Sequence, residues 1–314
     1  METIPNRDDV NKDLGLGSRV SQGSHERFLN RDGSFNVRRG GLPFFRTLNM
    51  YHALLTMSWT KFYLLVSLAY FIANTVFASA YLLCGTEGFR GAEGITITQR
   101  FFEAFFFSVQ TLATIGYGRI SPNSFSVNVL VTLEALVGLL GFALATGLLF
   151  ARFSRPNAKI IFSNNAVIAP YNEVTAFEFR IVNERSNELI EVTATVTLSR
   201  IETLNGQQVR KFYPLDLERN KVVFMPLHWV IVHPITQASP LFRITEQDFK
   251  KSDAEILILI TGTDETFSQS VHTRSSYKSS EVVWGAKFGD VFVESGTGKL
   301  SIDMKKIHDI IKVG

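Results

Sequence analysis

Thr114-Ile115-Gly116-Tyr117-Gly118 is the stretch from which the fold can be read. Two glycines alternate with two large residues. A row of backbone carbonyls aimed to one side needs torsions that alternate in sign, and glycine takes a positive φ without strain. Gly116 and Gly118 supply that freedom, and Thr114 can add a hydroxyl oxygen at the inner end. The Tyr117 ring plays no part in such a row and is expected to pack outward and brace the loop. Carbonyls set out this way can replace the hydration shell of a bare cation. Five residues alone would equally suit a glycine-rich turn, so the flanks decide.

Both flanks are long and apolar. No charged residue falls between Phe62 and Thr86, long enough to cross a hydrocarbon core of about 30 Å at 1.5 Å per residue. This predicts a first transmembrane helix over 62–84. A glycine-rich, charged loop follows at 85–97. The aromatic run Phe101-Phe102-Glu103-Ala104-Phe105-Phe106-Phe107 is too short to span, and predicts a re-entrant helix over 98–111 whose negative dipole end faces the loop at 114–118. After Pro122 a second span is predicted over 125–153. One span, a short helix, the loop and a second span together match the T-V-G-Y-G arrangement that coordinates K⁺. Gln110 and Thr111, at the end of the short helix, are the expected support for the loop.

The second span has one acid, Glu134. A carboxylate at that depth costs about 2.5–3.5 kcal/mol on insertion scales and should face protein or water. Two placements are open: a hydrogen bond behind the loop, or a charge lining a cavity. Further along, Gly138, Phe142, Thr146 and Phe150 recur every four residues and would line a conduction path. Phe150 is placed to close it with a ring of aromatics. Gly138, Gly141 and Gly147 are also candidates for close packing. Asn74, the most polar residue of the first span, is expected to bond a neighbouring helix.

Basic residues set the orientation. Residues 38–61 hold Arg38, Arg39, Arg46 and Lys61, and 152–159 hold Arg152, Arg155 and Lys159, with no acid in either stretch. Both termini are therefore expected in the cytoplasm, with the chain in the cell's inner (plasma) membrane. Arg46, Lys61, Arg152, Arg155 and Lys159 would face anionic lipid headgroups, or serve as topology signals alone. Residues 44–60 carry Leu48, Tyr51, Leu55 and Trp59 at helical spacing, which predicts an interfacial amphipathic helix.

The ends of the chain differ from this middle. Residues 1–43 are polar and aperiodic and are expected to form a flexible cytoplasmic tail. From 156 to 314 the pattern changes to period two: Phe177, Phe179 and Ile181, then Ile190, Val192, Ala194, Val196 and Leu198, alternate with polar residues. Short strands at 221–225, 228–232, 255–261 and 281–284, with turn signals such as Asn205-Gly206, predict an antiparallel β-sandwich. A short helix is expected over 303–312. Gly296-Thr297-Gly298-Lys299 lacks the spacing of a phosphate loop and suits a hairpin turn. The fold class is thus an all-α membrane pore domain, 61–155, followed by an all-β cytoplasmic sandwich. A net charge of +3 gives no argument for nucleic acid, and six scattered histidines and one cysteine suggest no metal site, cofactor or catalytic cluster.

In Phe105 to Gly118, Leu133-Glu134-Ala135-Leu136, Ala151 to Pro156, and Arg274-Ser275-Ser276-Tyr277 with Trp284-Gly285, the chain resembles the prokaryotic inward-rectifier potassium channels, the KirBac family. The resemblance implies a homotetramer, so three identical partner subunits. It also implies that the interfacial helix acts as a slide helix, that the sandwich is immunoglobulin-like, that the path is constricted at Phe150, and that phosphoinositides modulate gating. Ba²⁺, Mg²⁺ and polyamines are the expected blockers. Two departures stand out. Eukaryotic relatives pair a pore-helix glutamate with an arginine beyond the filter; here Gln110 holds that position, so Arg119 is expected to lack its partner. Phe142 stands where strong rectifiers carry a cavity acid, which argues against tight Mg²⁺ or polyamine block there. Glu265 matches an acidic position of the cytoplasmic vestibule, where weaker block would act.

Overall fold

The computed structural model describes residues 27–36, 50–85, 88–154, 158–185, 187–204, 206–225, 227–294 and 300–313. They fall into two compact units, 41–155 and a second made of 1–40 with 156–314.

The first unit is helical. Helix α1 spans Met50–Thr56 and α2 spans Trp59–Leu83. A single helix over 44–60 is not what forms: Ser58 takes an extended conformation and its side chain accepts the Lys61 N–H, so it caps a new helix and Trp59 belongs to α2. The part of that expectation over 44–49 lies outside the described residues. Strand β1, Phe89–Arg90, pairs with β2, Ser121–Pro122. Between them α3, Ile97–Leu112, starts at a Thr96–Gln99 capping box. Helix α4, Phe125–Phe153, is capped by Ser124. The 25 and 29 residues of α2 and α4 extend about 38 and 44 Å, enough to cross a bilayer. Both leave most of their apolar surface outward, Leu64, Phe71, Leu139 and Leu140 among it. Inside, Ala78, Tyr81, Ala104, Phe107 and Val127 pack the three helices together.

The second unit is a sandwich. Its strands are β3 (Ile160–Phe162), β4 (Ala166–Tyr171), β5 (Val174–Asn183), β6 (Leu189–Leu204), β7 (Gln207–Pro214), β8 (Lys221–Phe224), β9 (His228–Ile235), β10 (Glu255–Asp264), β11 (Gln269–Lys278) and β12 (Val282–Trp284), with a short helix α5 at Glu246–Lys251. One sheet runs β11-β10-β6-β7 with β8 also on β6; the other runs β12-β4-β5-β3 with β9 also on β5. Pairing is antiparallel except β12 with β4, which is parallel, so the sandwich is not wholly antiparallel. Phe177, Phe179 and Ile181 of β5 meet Val192, Val196 and Leu198 of β6 and Ile256, Ile258 and Ile260 of β10 in one core. The period-two pattern places every second residue there. Strands β13 (Ala286–Phe288) and β16 (Ile310–Lys312) pair, as do β14 (Phe292–Glu294) and β15 (Leu300–Ile302). Ala286, Phe288 and Ile310 cover Val167 and Ala169 on the outer face of β4. The helix expected over 303–312 is instead a 3₁₀ turn, Met304–His308, running into β16. Residues 296–299 lie outside the described residues.

The expected featureless tail contains an ordered stretch. Residues 27–36 fold into a small hairpin with a Leu29–Phe35 bridge, and Phe28 and Leu29 are buried. Glu255, fully buried on β10, accepts the N–H groups of Phe28 (2.9 Å) and Leu29 (3.1 Å). Arg27 forms a two-pronged pair with Glu281, at 3.0 and 2.9 Å. Gly33 has φ +81°, and a Cβ there would stand 2.8 Å from the Arg274 carbonyl. A polar composition hid this because its anchors lie more than 220 residues away in the chain.

Candidate functional site

The stretch 114–118 follows directly from α3, and its amides are tied to that helix. Thr114 N–H donates to the Thr111 carbonyl (3.0 Å), and the N–H groups of Ile115 (2.7 Å) and Gly116 (3.4 Å) share the Gln110 carbonyl. Torsions alternate: Thr114, Gly116 and Gly118 have φ of +56°, +57° and +82°, while Ile115 and Tyr117 lie outside the positive-φ set. The two glycines do what their residue type suggests. Thr114 does more than was expected of it, since a β-branched residue at positive φ costs about 1–3 kcal/mol and needs surroundings that hold it. Gln110 and Thr111 hold it through their backbone carbonyls. Tyr117 is 77% exposed and Ile115 49%, and a Cβ built on Gly116 or Gly118 meets nothing within 4 Å. The stretch therefore presents an open face that nothing within this chain covers, among the described residues.

Behind this stretch sits Glu134, fully buried. The Tyr81 hydroxyl of α2 and the Ser108 hydroxyl of α3 both bond to its carboxyl oxygens. Ser108 Oγ is also 3.0 Å from Asn74 Oδ1, and Asn74 Nδ2 donates to the Tyr70 carbonyl (2.7 Å). Three helices thus meet at one carboxyl group. Of the two placements left open by the sequence, the geometry matches the one behind the loop. No spacing within a segment marks Tyr81 or Ser108; the signal in the sequence is a hydroxyl in each neighbouring apolar helix.

Phe142, Thr146 and Phe150 form an exposed row on α4, with Phe142 and Phe150 at 74% and 73%. Gly138 does not belong to that row. It is buried, and a Cβ on it would stand 2.5 Å from the Leu112 carbonyl. It is a close-packing site where α4 crosses the end of α3.

The basic residues separate. Arg46 and Arg155 lie outside the described residues. Lys61 is exposed, and Lys159 pairs with Glu184 at 3.7 Å. Arg152 is not available in the way expected of a lipid contact. It is 8% exposed; Nη1 donates to the Leu54 carbonyl, Nη2 donates to that of Met57 (2.7 Å), and the guanidinium sits over the rings of Trp59 and Phe62 at 4.5 and 4.6 Å. Its position secures the end of α1. Glu265 is exposed in the turn after β10. Arg119 lacks the partner that a glutamate at position 110 would give and meets another carboxylate instead: its Nη2 lies 3.3 Å from Glu103 Oε1. The carboxylate comes from two turns earlier on α3 than the position occupied by Gln110.

Comparison with known proteins bears on both units. Residues 58–155 match the family model described as ion channel, and 160–314 match the inward rectifier potassium channel C-terminal domain. The chain is similar to inward rectifier potassium channel Kirbac3.1 of Paramagnetospirillum magnetotacticum, 41% identical over 90% of this chain and 95% of that one. It is also similar to the human G protein-activated inward rectifier potassium channel 3, 28% identical over 92% of this chain and 78% of that one.

Proposed function

The chain belongs to the inward rectifier potassium channel family, is a membrane protein that conducts K⁺ and not an enzyme, and from that premise we propose that Thr114 to Gly118 is its selectivity filter. Four copies around one axis would set the carbonyls of this stretch in rings that replace the water around K⁺. The observation that carries the reading is the alternation of φ along the stretch, held by N–H groups tied to α3. Glu134 braces the filter from behind, through Ser108 and Tyr81. Phe142 and Thr146 line the cavity and Phe150 closes it. The domain scheme is a tail with one ordered hairpin, a slide helix, a pore domain to 155 and a sandwich beyond, with both ends in the cytoplasm and the pore in the plasma membrane. Anionic lipids, phosphoinositides among them, act at Arg46, Lys61, Arg155 and Lys159, while Arg152 secures α1. Ba²⁺ blocks at the filter, and Mg²⁺ or polyamines act weakly at Glu265.

The test is Rb⁺ uptake into liposomes carrying the purified channel. Uptake should occur, stop with Ba²⁺, and be lost or become unselective in Gly116→Ala, because alanine is strained at φ +57° even where space is free. Selective flux through Gly116→Ala at the normal rate would remove the filter from this stretch.

A further inference from the structure

The inner end of the filter is fixed at Gln110, whose carbonyl takes the N–H groups of Ile115 and Gly116. The outer end passes into Arg119, whose guanidinium meets Glu103 at 3.3 Å. Glu103 is 19% exposed. Its other contacts are the backbone N–H groups of Glu93 (3.2 Å) and Gly94 (2.9 Å). Arg100, one turn back on α3, donates from Nε to the Gly94 carbonyl at 2.9 Å. The loop held in this way leads back to β1, and β1 pairs with β2 immediately after Arg119 and Ile120. A ring of contacts therefore closes through one carboxylate: filter exit, β2, β1, the 91–94 loop, Glu103 and again the filter exit. At Gly91 there is no room for a side chain, since a Cβ would stand 2.1 Å from the Arg119 carbonyl.

We infer that Glu103 is a positioning residue for selectivity, which with Gln110 fixes the length of the filter against α3. The two attachment points are seven residues apart and so lie on one face of the helix, about 10 Å apart along its axis. The four residue-to-residue steps from Ile115 to Arg119 reach about 14 Å at full extension. The two spans are comparable, so displacing either attachment changes the spacing of the carbonyls that coordinate the ion. The carboxylate acts on the filter from outside the coordination sites, through Arg119. This rests on 114–118 being the filter.

The experiment compares Rb⁺ and Na⁺ uptake by the full-length channel in liposomes, for wild type, Glu103→Gln, Glu103→Asp, Arg119→Gln and the double variant Glu103→Gln/Arg119→Gln. An exposed ion pair of this kind is expected to shift the Rb⁺/Na⁺ ratio about 1.4- to fivefold. Glu103→Gln and Arg119→Gln should lower the ratio by the same factor, the double variant should be no worse than either, and Glu103→Asp should restore most of it. A merely structural Glu103, holding the 93–94 loop alone, gives a different result: Arg119→Gln keeps the wild-type ratio, or the two losses multiply. Either outcome overturns the inference. Arg119 is 67% exposed, so its variant folds even where Glu103→Gln does not. Gly116→Ala separates the two readings: wild-type selectivity in Gly116→Ala removes the filter, whereas loss there with unchanged Arg119→Gln removes only the role of Glu103.

Discussion

Glu134 shows how one residue can be legible in kind and not in detail. A lone acid in an apolar span announces that it must be satisfied by protein or water, and the structure satisfies it with two hydroxyls from two other helices. Which hydroxyls could not be read, because side chains on three separate segments converge and none of the spacings within a segment records it. The same contacts set an expectation. Glu134→Ala leaves the buried Tyr81 hydroxyl without its acceptor, at about 1–3 kcal/mol, while the Ser108 hydroxyl keeps Asn74 Oδ1 within reach at 3.0 Å. Glu134→Gln keeps an oxygen in place. The alanine variant should lose thermal stability as a detergent-solubilised protein, by several degrees more than the glutamine variant. Equal melting temperatures would mean that the carboxyl group is not what joins the three helices. Gly138 is the converse case. Its four-residue spacing with Phe142 put it in the pore row, but helical periodicity alone does not distinguish a face that lines a cavity from one that needs a missing side chain.

Among the elements, the spans α2 and α4 were legible because each carries its signal locally, as a run of apolar residues with a polar cap. The boundary between α1 and α2 was missed although its cue was present, a serine followed three residues later by Lys61, whose N–H it accepts. The amphipathic stripe crosses that boundary and suggests continuity. The described part of helix α1, Met50–Thr56, gains from tertiary contacts, because short helices are marginal in isolation. Arg152 supplies such contacts by bonding two carbonyls near its end and stacking on Trp59 and Phe62. Arg152→Gln should therefore speed amide hydrogen exchange across 50–56. Arg152→Lys should protect poorly, since an ammonium cannot reproduce the planar, two-pronged contact. If exchange across 50–56 is as slow in Arg152→Gln as in wild type, the arginine is not the latch, and a direct lipid role would return to it.

At the scale of the whole molecule, the channel identity was legible in the Thr114–Gly118 motif and its two flanking spans, and the sandwich in its alternation. What stayed hidden was the docking of 27–36, because composition describes how a segment behaves alone and says nothing of a site built by β10 and β11. That docking has a topological consequence. The second unit takes in the chain up to Gly40 and again from Pro156, with the membrane unit, 41–155, between them in sequence. The second unit thus grips the chain both before α1 and after α4. The grip depends on Glu255, which is fully buried and accepts two backbone N–H groups, and on Arg27, which bonds Glu281 and the Ser276 and Leu29 groups beside it. Hydrogen bonds to charged groups contribute about 1.5–3 kcal/mol each, and a stranded buried acceptor costs more than an exposed one. Glu255→Ala should release the hairpin while leaving the period-two core intact. Trypsin should then cut after Arg27 and Arg31 at least ten times faster than in wild type, with the sandwich itself resisting digestion. If cleavage at those two arginines is as fast in the wild-type channel as in the variant, the hairpin is not held, and the second unit grips the chain only after α4.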